Sequence, residues 1–305
     1  MVFSQTLWKQ HHLFWRLHAV TSHHRMNSSH PVAAVCQLTS TPDKEANLST
    51  CERLILQAKQ GGASMIFLPE GFDYLGSSRE ETLQLSESLQ GDIISRYSQL
   101  ARKLKVWLSL GGFHERGHNW ENDRRIYNSH VIINGQVNVK EHCVRSWCDF
   151  STSEIVSVYR KGHLFDVELT GKGVSLKESA FTVPGPSLVP PVQTPVGKVG
   201  LGICYDLRFP EMSSALQRSV LLRARAIETQ CYVLAAAQVG AHHEKRSSYG
   251  HTIAVDPWGV VMADCGGTDV GVAMVEIDMD RLKDTRKDMP VRKHRREKEF
   301  YCSLD

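Results

Sequence analysis

Apolar and polar positions alternate along the chain in two recurring styles. Short apolar runs bounded by Gly, Pro or charge read as strands: VAAVCQL at 32–38, SMIFLPE at 64–70, KVWLSLGG at 105–112 and KVGLGIC at 198–204. Between them lie stretches with three-to-four-residue spacing. In 43–60, Leu48, Cys51, Leu54, Ile55 and Ala58 fall on one helical face, and Gly61-Gly62 ends the pattern. Helices are also predicted over 92–104 and 219–230, and one starting near Phe209 or Pro210. RIYNSHVIING (125–135) and IVSVYRK (155–161) read as consecutive antiparallel strands. YVLAAAQVG (232–240), GHTIAVDP (250–257), VVMADC (260–265) and VAMVEIDMD (272–280) continue the strand series. The expectation is a mixed, layered α/β domain, because adjacent hairpins do not belong to a purely parallel sheet. No internal repeat is visible.

Composition narrows the field. A chain of 305 residues can bury a large core without disulfide staples. The net charge of +3 is too small to imply a nucleic-acid partner. No apolar run is long enough to span a membrane. The eight cysteines, at 36, 51, 143, 148, 204, 231, 265 and 302, form no C-x-x-C pair, which argues against a zinc knuckle. Several lie inside apolar segments, as suits a reducing compartment. The basic stretch 281–299 also carries Asp284, Asp288, Glu297 and Glu299, and reads as a solvated or dimer-facing arm.

The first 42 residues contain no Asp or Glu, while Lys9, Arg16 and Arg25 are spread among Leu7, Trp8, Phe14, Trp15 and Leu17. Residues 1–31 therefore read as a mitochondrial transit segment or as a disordered tail without an address. A restart at Met26 would give a cytoplasmic form.

Three charged or nucleophilic residues stand at the ends of apolar strands. Glu70 follows MIFLP, Lys161 follows IVSVYR and Cys204 follows VGLGI. A thiol on a strand-to-helix corner meets unpaired N–H groups that favour its anion. A carboxylate nearby can serve as general base, and an ammonium group can stabilise an oxyanion. A buried structural cysteine and two solvated strand ends are the plainer alternative for each residue taken singly.

The segments FLPEGFDY, VYRKGHLFDVEL and GLGICYDLRFPEMS, in that order, resemble the nitrilase superfamily of carbon–nitrogen hydrolases. The resemblance runs from about Val32 to Arg296, leaving 297–305 as a tail. It implies an αββα four-layer sandwich whose subunits pair into a homodimer or larger homo-oligomer. It also implies a catalytic set of Glu70 (base), Lys161 (cation) and Cys204 (nucleophile). Glu168 corresponds to a supporting acid, and the Tyr205 N–H to an oxyanion donor beside Lys161. No metal or organic cofactor is implied, nor any nucleic-acid or membrane partner. The segments 111–132, 221–238 and 242–259 resemble a branch that acts on deaminated glutathione, a 2-oxo acid amide. Such an enzyme releases 2-oxoglutarate and Cys-Gly through a cysteine thioester. The alternatives are an ω-amidase acting on 2-oxoglutaramate, and an impaired splice form serving as an interaction protein.

Two departures from the family accompany the resemblance. Residues 136–153 look inserted between two hairpin strands, and Cys143, Trp147 and Cys148 within them have no family role. Near 218–219 a strand and a substrate-facing loop, roughly two dozen residues, look absent, so that one helix runs directly into another. An activity below the family's norm is expected from that loss.

Overall fold

The computed structural model describes residues 29–117, 119–136, 154–169, 174–209, 218–244 and 246–294. The elements run β1 (Val32–Leu38), α1 (Lys44–Gln60), β2 (Met65–Leu68), α2 (Arg79–Leu85), α3 (Asp92–Leu104), β3 (Trp107–Arg116), β4 (Ile126–Asn134) and β5 (Glu154–Arg160). Two hairpins follow, β6 (Asp166–Leu169) with β7 (Val174–Lys177), and β8 (Val192–Thr194) with β9 (Gly197–Val199). Then come α4 (Arg218–Thr229), β10 (Val233–Ala235), β11 (Ala237–His243), β12 (Arg246–Tyr249), β13 (Ile253–Val255), β14 (Val261–Asp264), β15 (Gly271–Glu276), α5 (Met279–Asp288) and α6 (Val291–His294).

The main sheet has the order β12-β11-β1-β2-β3-β4-β5, with β15 also paired to β1. Alternation along β1 shows how the layers stack. Ala34, Cys36 and Leu38 face one way and pack with Leu48, Cys51, Leu54 and Ile55 of α1 and Ile94 and Tyr97 of α3. Ala33 and Val35 face the other way, toward Val199, Leu234 and Ala254. A second, three-stranded sheet, β10-β13-β14, lies on that side. Within β13, Ala254 faces the main sheet while Ile253 and Val255 pack on Leu222 and Ala226 of α4. The result is helix, sheet, sheet, helix: the expected αββα sandwich. Every residue of β1 is buried because both its faces are covered.

Local chemistry sets the helix ends. The Asp43 side chain accepts from the N–H groups of Glu45 and Ala46, capping α1, and Gly61 closes it. The predicted strand 232–240 is two strands in two sheets. β10 pairs with β13, and after Ala236 the chain passes to β11, beside the end of β1. Periodicity carries no signal for a change of sheet.

The predicted strand 198–204 is shorter than expected. Only Gly197–Val199 pairs, with β8 alone, and residues 200–203 join no ladder among the described residues. Among the described residues β10 pairs with β13 only, and its three residues are half-buried. A 3₁₀ stretch, Cys204–Arg208, follows directly, and the helix expected from Phe209 or Pro210 onward falls outside the described residues. Residues 210–217 lie outside the described residues, as do 1–28 and most of 136–153, with Cys143, Trp147 and Cys148. The hairpin beneath that last segment is closed: Asn134 pairs with Glu154 and Ile133 with Ile155.

Candidate active site

Strand directions bring the three strand-end residues together. β2 and β3 are parallel, whereas β3–β4 and β4–β5 are antiparallel, so β5 runs the same way as β2. Glu70, two residues past β2, and Lys161, one past β5, therefore emerge at the same end of the main sheet. Asn128, on β4, is their neighbour, since its carbonyl accepts from the Lys161 N–H at 2.8 Å.

Glu70 is fixed from several sides. Its carbonyl accepts from Gln238 Nε2 at 3.0 Å. Gly112, at φ +102°, passes so close that a Cβ there would stand 2.7 Å from Glu70 Cα, so only glycine fits. Its carboxylate accepts from Asn128 Nδ2 at 2.7 Å and from Lys161 Nζ at 3.3 Å. Burial pushes the Glu70 pKa up. The Lys161 charge and hydrogen bonds from Asn128, Cys204 and Lys161 outweigh it and bring the value down to about 2.

Lys161 is 2% exposed and remains charged. Burial disfavours its ammonium, but Glu70, Cys204 and Glu178 raise its pKa well above the usual lysine value. Glu178 Oε2 and Oε1 lie 2.9 and 3.0 Å from Nζ. A buried cation held by two carboxylates is satisfied where one standing alone would lose its proton.

Here the structure corrects the sequence reading: the acid that holds Lys161 is Glu178, not Glu168. In the β6–β7 hairpin, Asp166 pairs with Lys177 at the base, whereas Glu168 pairs with Ser175 further toward the tip. The Glu168 side chain is exposed. Glu178 follows the base pair directly, in a 3₁₀ turn, and also accepts from the Phe165 N–H at 2.6 Å. Asn128 was the other residue missed. It lies mid-strand, where a polar residue reads as an outward position, yet it is buried and its amide reaches both Glu70 and Glu178, the latter at 3.4 Å.

Cys204 opens the 3₁₀ stretch that follows Ile203 and has φ +45°, a left-handed conformation unusual for a residue with a Cβ. Of the five described cysteines it alone is exposed, while Cys36 and Cys51 are buried. Its thiol is hydrogen-bonded to Glu70 and lies within electrostatic reach of Lys161. The segment before it is tied to the main sheet by His130, whose Nδ1 faces the Gly202 carbonyl at 3.3 Å and whose Nε2 faces Ser109 Oγ at 2.7 Å. Burial pushes His130 down to about 4 and keeps the ring neutral. Tyr205 lies in the first turn after Cys204, where backbone N–H groups have no partner within the helix. Its ring packs edge-on against Phe165 and Phe209.

An exposed thiol, a carboxylate in contact with it and a buried ammonium beside both form a set suited to nucleophilic attack on a carbonyl. Comparison with known proteins agrees. The family model for carbon–nitrogen hydrolases matches residues 32–219 and 212–287, two segments that overlap at 212–219. A deaminated glutathione amidase from Bos taurus is 50% identical over 287 residues, covering 87% of this chain and 82% of its own length. The Homo sapiens protein described in the same words is 49% identical over the same shares. Among solved structures, the Caenorhabditis elegans NitFhit protein superposes with a TM-score of 0.75 at 40% identity. That match covers 88% of this chain, and the chain spans 65% of NitFhit. Saccharomyces cerevisiae Nit3, a nitrilase-superfamily member, gives a TM-score of 0.70 at 26% identity, covering 88% of this chain and 97% of its own.

Proposed function

The chain belongs to the carbon–nitrogen hydrolase family, and from that premise we propose that it hydrolyses deaminated glutathione to 2-oxoglutarate and Cys-Gly. The observation that carries the reading is the Cys204 thiol bonded to Glu70 with Lys161 buried beside both. Glu70 takes the thiol proton as sulfur attacks the amide carbonyl. Lys161 and the Tyr205 N–H stabilise the oxyanion. The amide nitrogen receives the proton from Glu70 and departs as the amino group of Cys-Gly, leaving a 2-oxoglutaryl thioester. Glu70 then deprotonates a water that attacks the thioester, and 2-oxoglutarate leaves. Glu178 and Asn128 keep Lys161 charged and Glu70 oriented throughout.

The chain lacks one strand of the second sheet, and its turnover is lowered accordingly. Two observations support this. Residues 200–203 and one edge of β10 have no ladder partner among the described residues, and the family match falls into two segments that overlap at 212–219. Its subunits pair through the outer layer, where Ile227 of α4 and Met262 of β14 are exposed. Residues 1–31 direct part of the protein to mitochondria, and a start at Met26 leaves the rest in the cytoplasm. No helix among the described residues is long and apolar enough to cross a membrane.

The test is release of 2-oxoglutarate and Cys-Gly from deaminated glutathione by the purified chain, with 2-oxoglutaramate as comparator and glutathione as control. Hydrolysis of deaminated glutathione with the higher kcat/KM supports the reading. Preference for 2-oxoglutaramate makes the chain an ω-amidase instead.

A further inference from the structure

One buried carboxylate outside the Glu-Lys-Cys set joins the two segments that deliver its halves. Asp206 lies two residues beyond Cys204 and is 2% exposed. Both of its oxygens are engaged twice. Oδ1 accepts from the His163 N–H at 3.0 Å and faces His163 Nδ1 at 2.8 Å. Oδ2 accepts from the Ile203 N–H at 3.0 Å and from Tyr159 Oη at 2.8 Å. The Tyr159 oxygen in turn accepts from the Gly162 N–H at 3.0 Å. The His163 ring stacks on Phe209, with centroids 3.7 Å apart.

These bonds bracket the catalytic residues on both chains. Tyr159, Gly162 and His163 flank Lys161, and Ile203 and Asp206 flank Cys204. The Asp206 N–H also bonds the Ile203 carbonyl at 3.0 Å, closing the tight turn in which Cys204 is held at φ +45°. That conformation is costly for a residue with a Cβ and persists only where its surroundings fix it. Lys161 follows β5 of the main sheet, whereas residues 200–203 before Cys204 join no ladder among the described residues, so none of the described ladders sets their separation.

We propose that Asp206 is a positioning residue for amide hydrolysis, clamping the Cys204 turn to the Lys161 turn through Tyr159 and His163. The inference rests on the proposed role of Cys204 as nucleophile. Asp206 acts through the spacing of thiol and ammonium and touches no reacting atom. Loosening the clamp moves Cys204 away from the charge that favours its thiolate. A misplacement of about 1 Å costs on the order of 100-fold in rate.

The variants are Tyr159→Phe, which deletes one clamp bond, and Asp206→Asn, which keeps the shape. In Asp206→Asn an NH₂ group must face either the Ile203 N–H or the His163 backbone N–H. Each full-length variant is assayed for thermal melting, for kcat and KM on deaminated glutathione, and for alkylation of Cys204 by iodoacetamide from pH 5 to 10, followed by peptide mass. The alkylation profile needs no turnover. The titratable groups facing Cys204 are Glu70 and Lys161, and those facing Asp206 are Tyr159 and His163. In the wild type, alkylation of Cys204 abolishes hydrolysis; if hydrolysis persists, the nucleophile assignment fails and the clamp falls with it. Given that result, the clamp predicts a kcat about 10- to 100-fold lower in Asp206→Asn and at least about threefold lower in Tyr159→Phe, with KM within about threefold. It also predicts that the alkylation midpoint moves to higher pH in both. Should Asp206→Asn fail to fold, Tyr159→Phe decides alone. Folded variants with the wild-type midpoint and kcat overturn the proposal. A rate loss that only tracks the unfolded fraction overturns it too.

Discussion

Replacing Glu178 with Gln separates the acid that the structure places on Lys161 from the acid that the sequence suggested. The substitution keeps the side-chain shape and one acceptor for the Phe165 N–H, and removes a single negative charge 2.9 Å from a lysine that is 2% exposed. A bare Coulomb interaction at that distance is about 6 kcal/mol at an effective dielectric of about 20. Breaking a buried pair by removing one partner typically costs about 3–5 kcal/mol. Glu70 remains 3.3 Å from Nζ and retains part of the attraction. A net loss of about 2–3 kcal/mol in transition-state stabilisation is therefore expected, which lowers kcat/KM by roughly 30- to 150-fold. Steady-state hydrolysis of deaminated glutathione measures it. Glu168→Gln, on the exposed side of the β6–β7 hairpin, is the control and should stay within about twofold of wild type. Equal losses in the two variants, or a Glu178→Gln enzyme within about threefold of wild type, would refute the reasoning.

Three further outcomes follow from the same structure. Restoring a family strand and loop between Gln217 and Ser219 should supply ladder partners to residues 200–203 and to β10 and raise both activity and Tm, the latter by at least about 5 °C; an unchanged melt with unchanged activity would show that nothing is lacking there. Deleting residues 136–153 should leave Tm and activity nearly unaltered, because the Ile133–Ile155 pair can then close the hairpin over a three-residue Asn134-Gly135-Glu154 loop; a collapse of either would make the segment part of the fold. Glu70 sits at about 2 in the folded protein against about 4.3 unfolded, so its ionisation stabilises the fold above the unfolded value and that stability is lost as the pH falls toward 2. Urea midpoints of wild type and Glu70→Gln should accordingly differ in their pH dependence between about 5 and 3, with the wild type falling more steeply.

The layered fold and the strand-end residues were legible because both follow from periodicity. β1, β2 and the first half of β3 are largely apolar runs, and α1 repeats its apolar face at helical spacing with a cap at Asp43. Glu70, Lys161 and Cys204 stand where such runs stop. Glu178 left no comparable mark. It is placed by the pairing of a four-residue hairpin, and which acid lies at the hairpin base depends on register, not on composition. Asn128 shares a face of β4 with the buried Ile126, but its polar side chain by itself carries no sign of burial. The division of 232–240 between two sheets depends on which partners are available to β10 and β11, which is a tertiary fact. Asp206 stood in plain view beside Cys204, but its partners Tyr159 and His163 come from a segment more than forty residues earlier.

The central claim is that Cys204 carries the acyl group, and trapping that group tests it most directly. Purified wild type and Cys204→Ala are mixed with deaminated glutathione, quenched in acid within the first turnover, digested and mapped by mass spectrometry. The account predicts a 2-oxoglutaryl adduct on the Cys204 peptide of the wild type, and neither adduct nor hydrolysis in Cys204→Ala. Hydrolysis by Cys204→Ala at a rate comparable to wild type, or an adduct on another cysteine that turns over as fast as product appears, would contradict it.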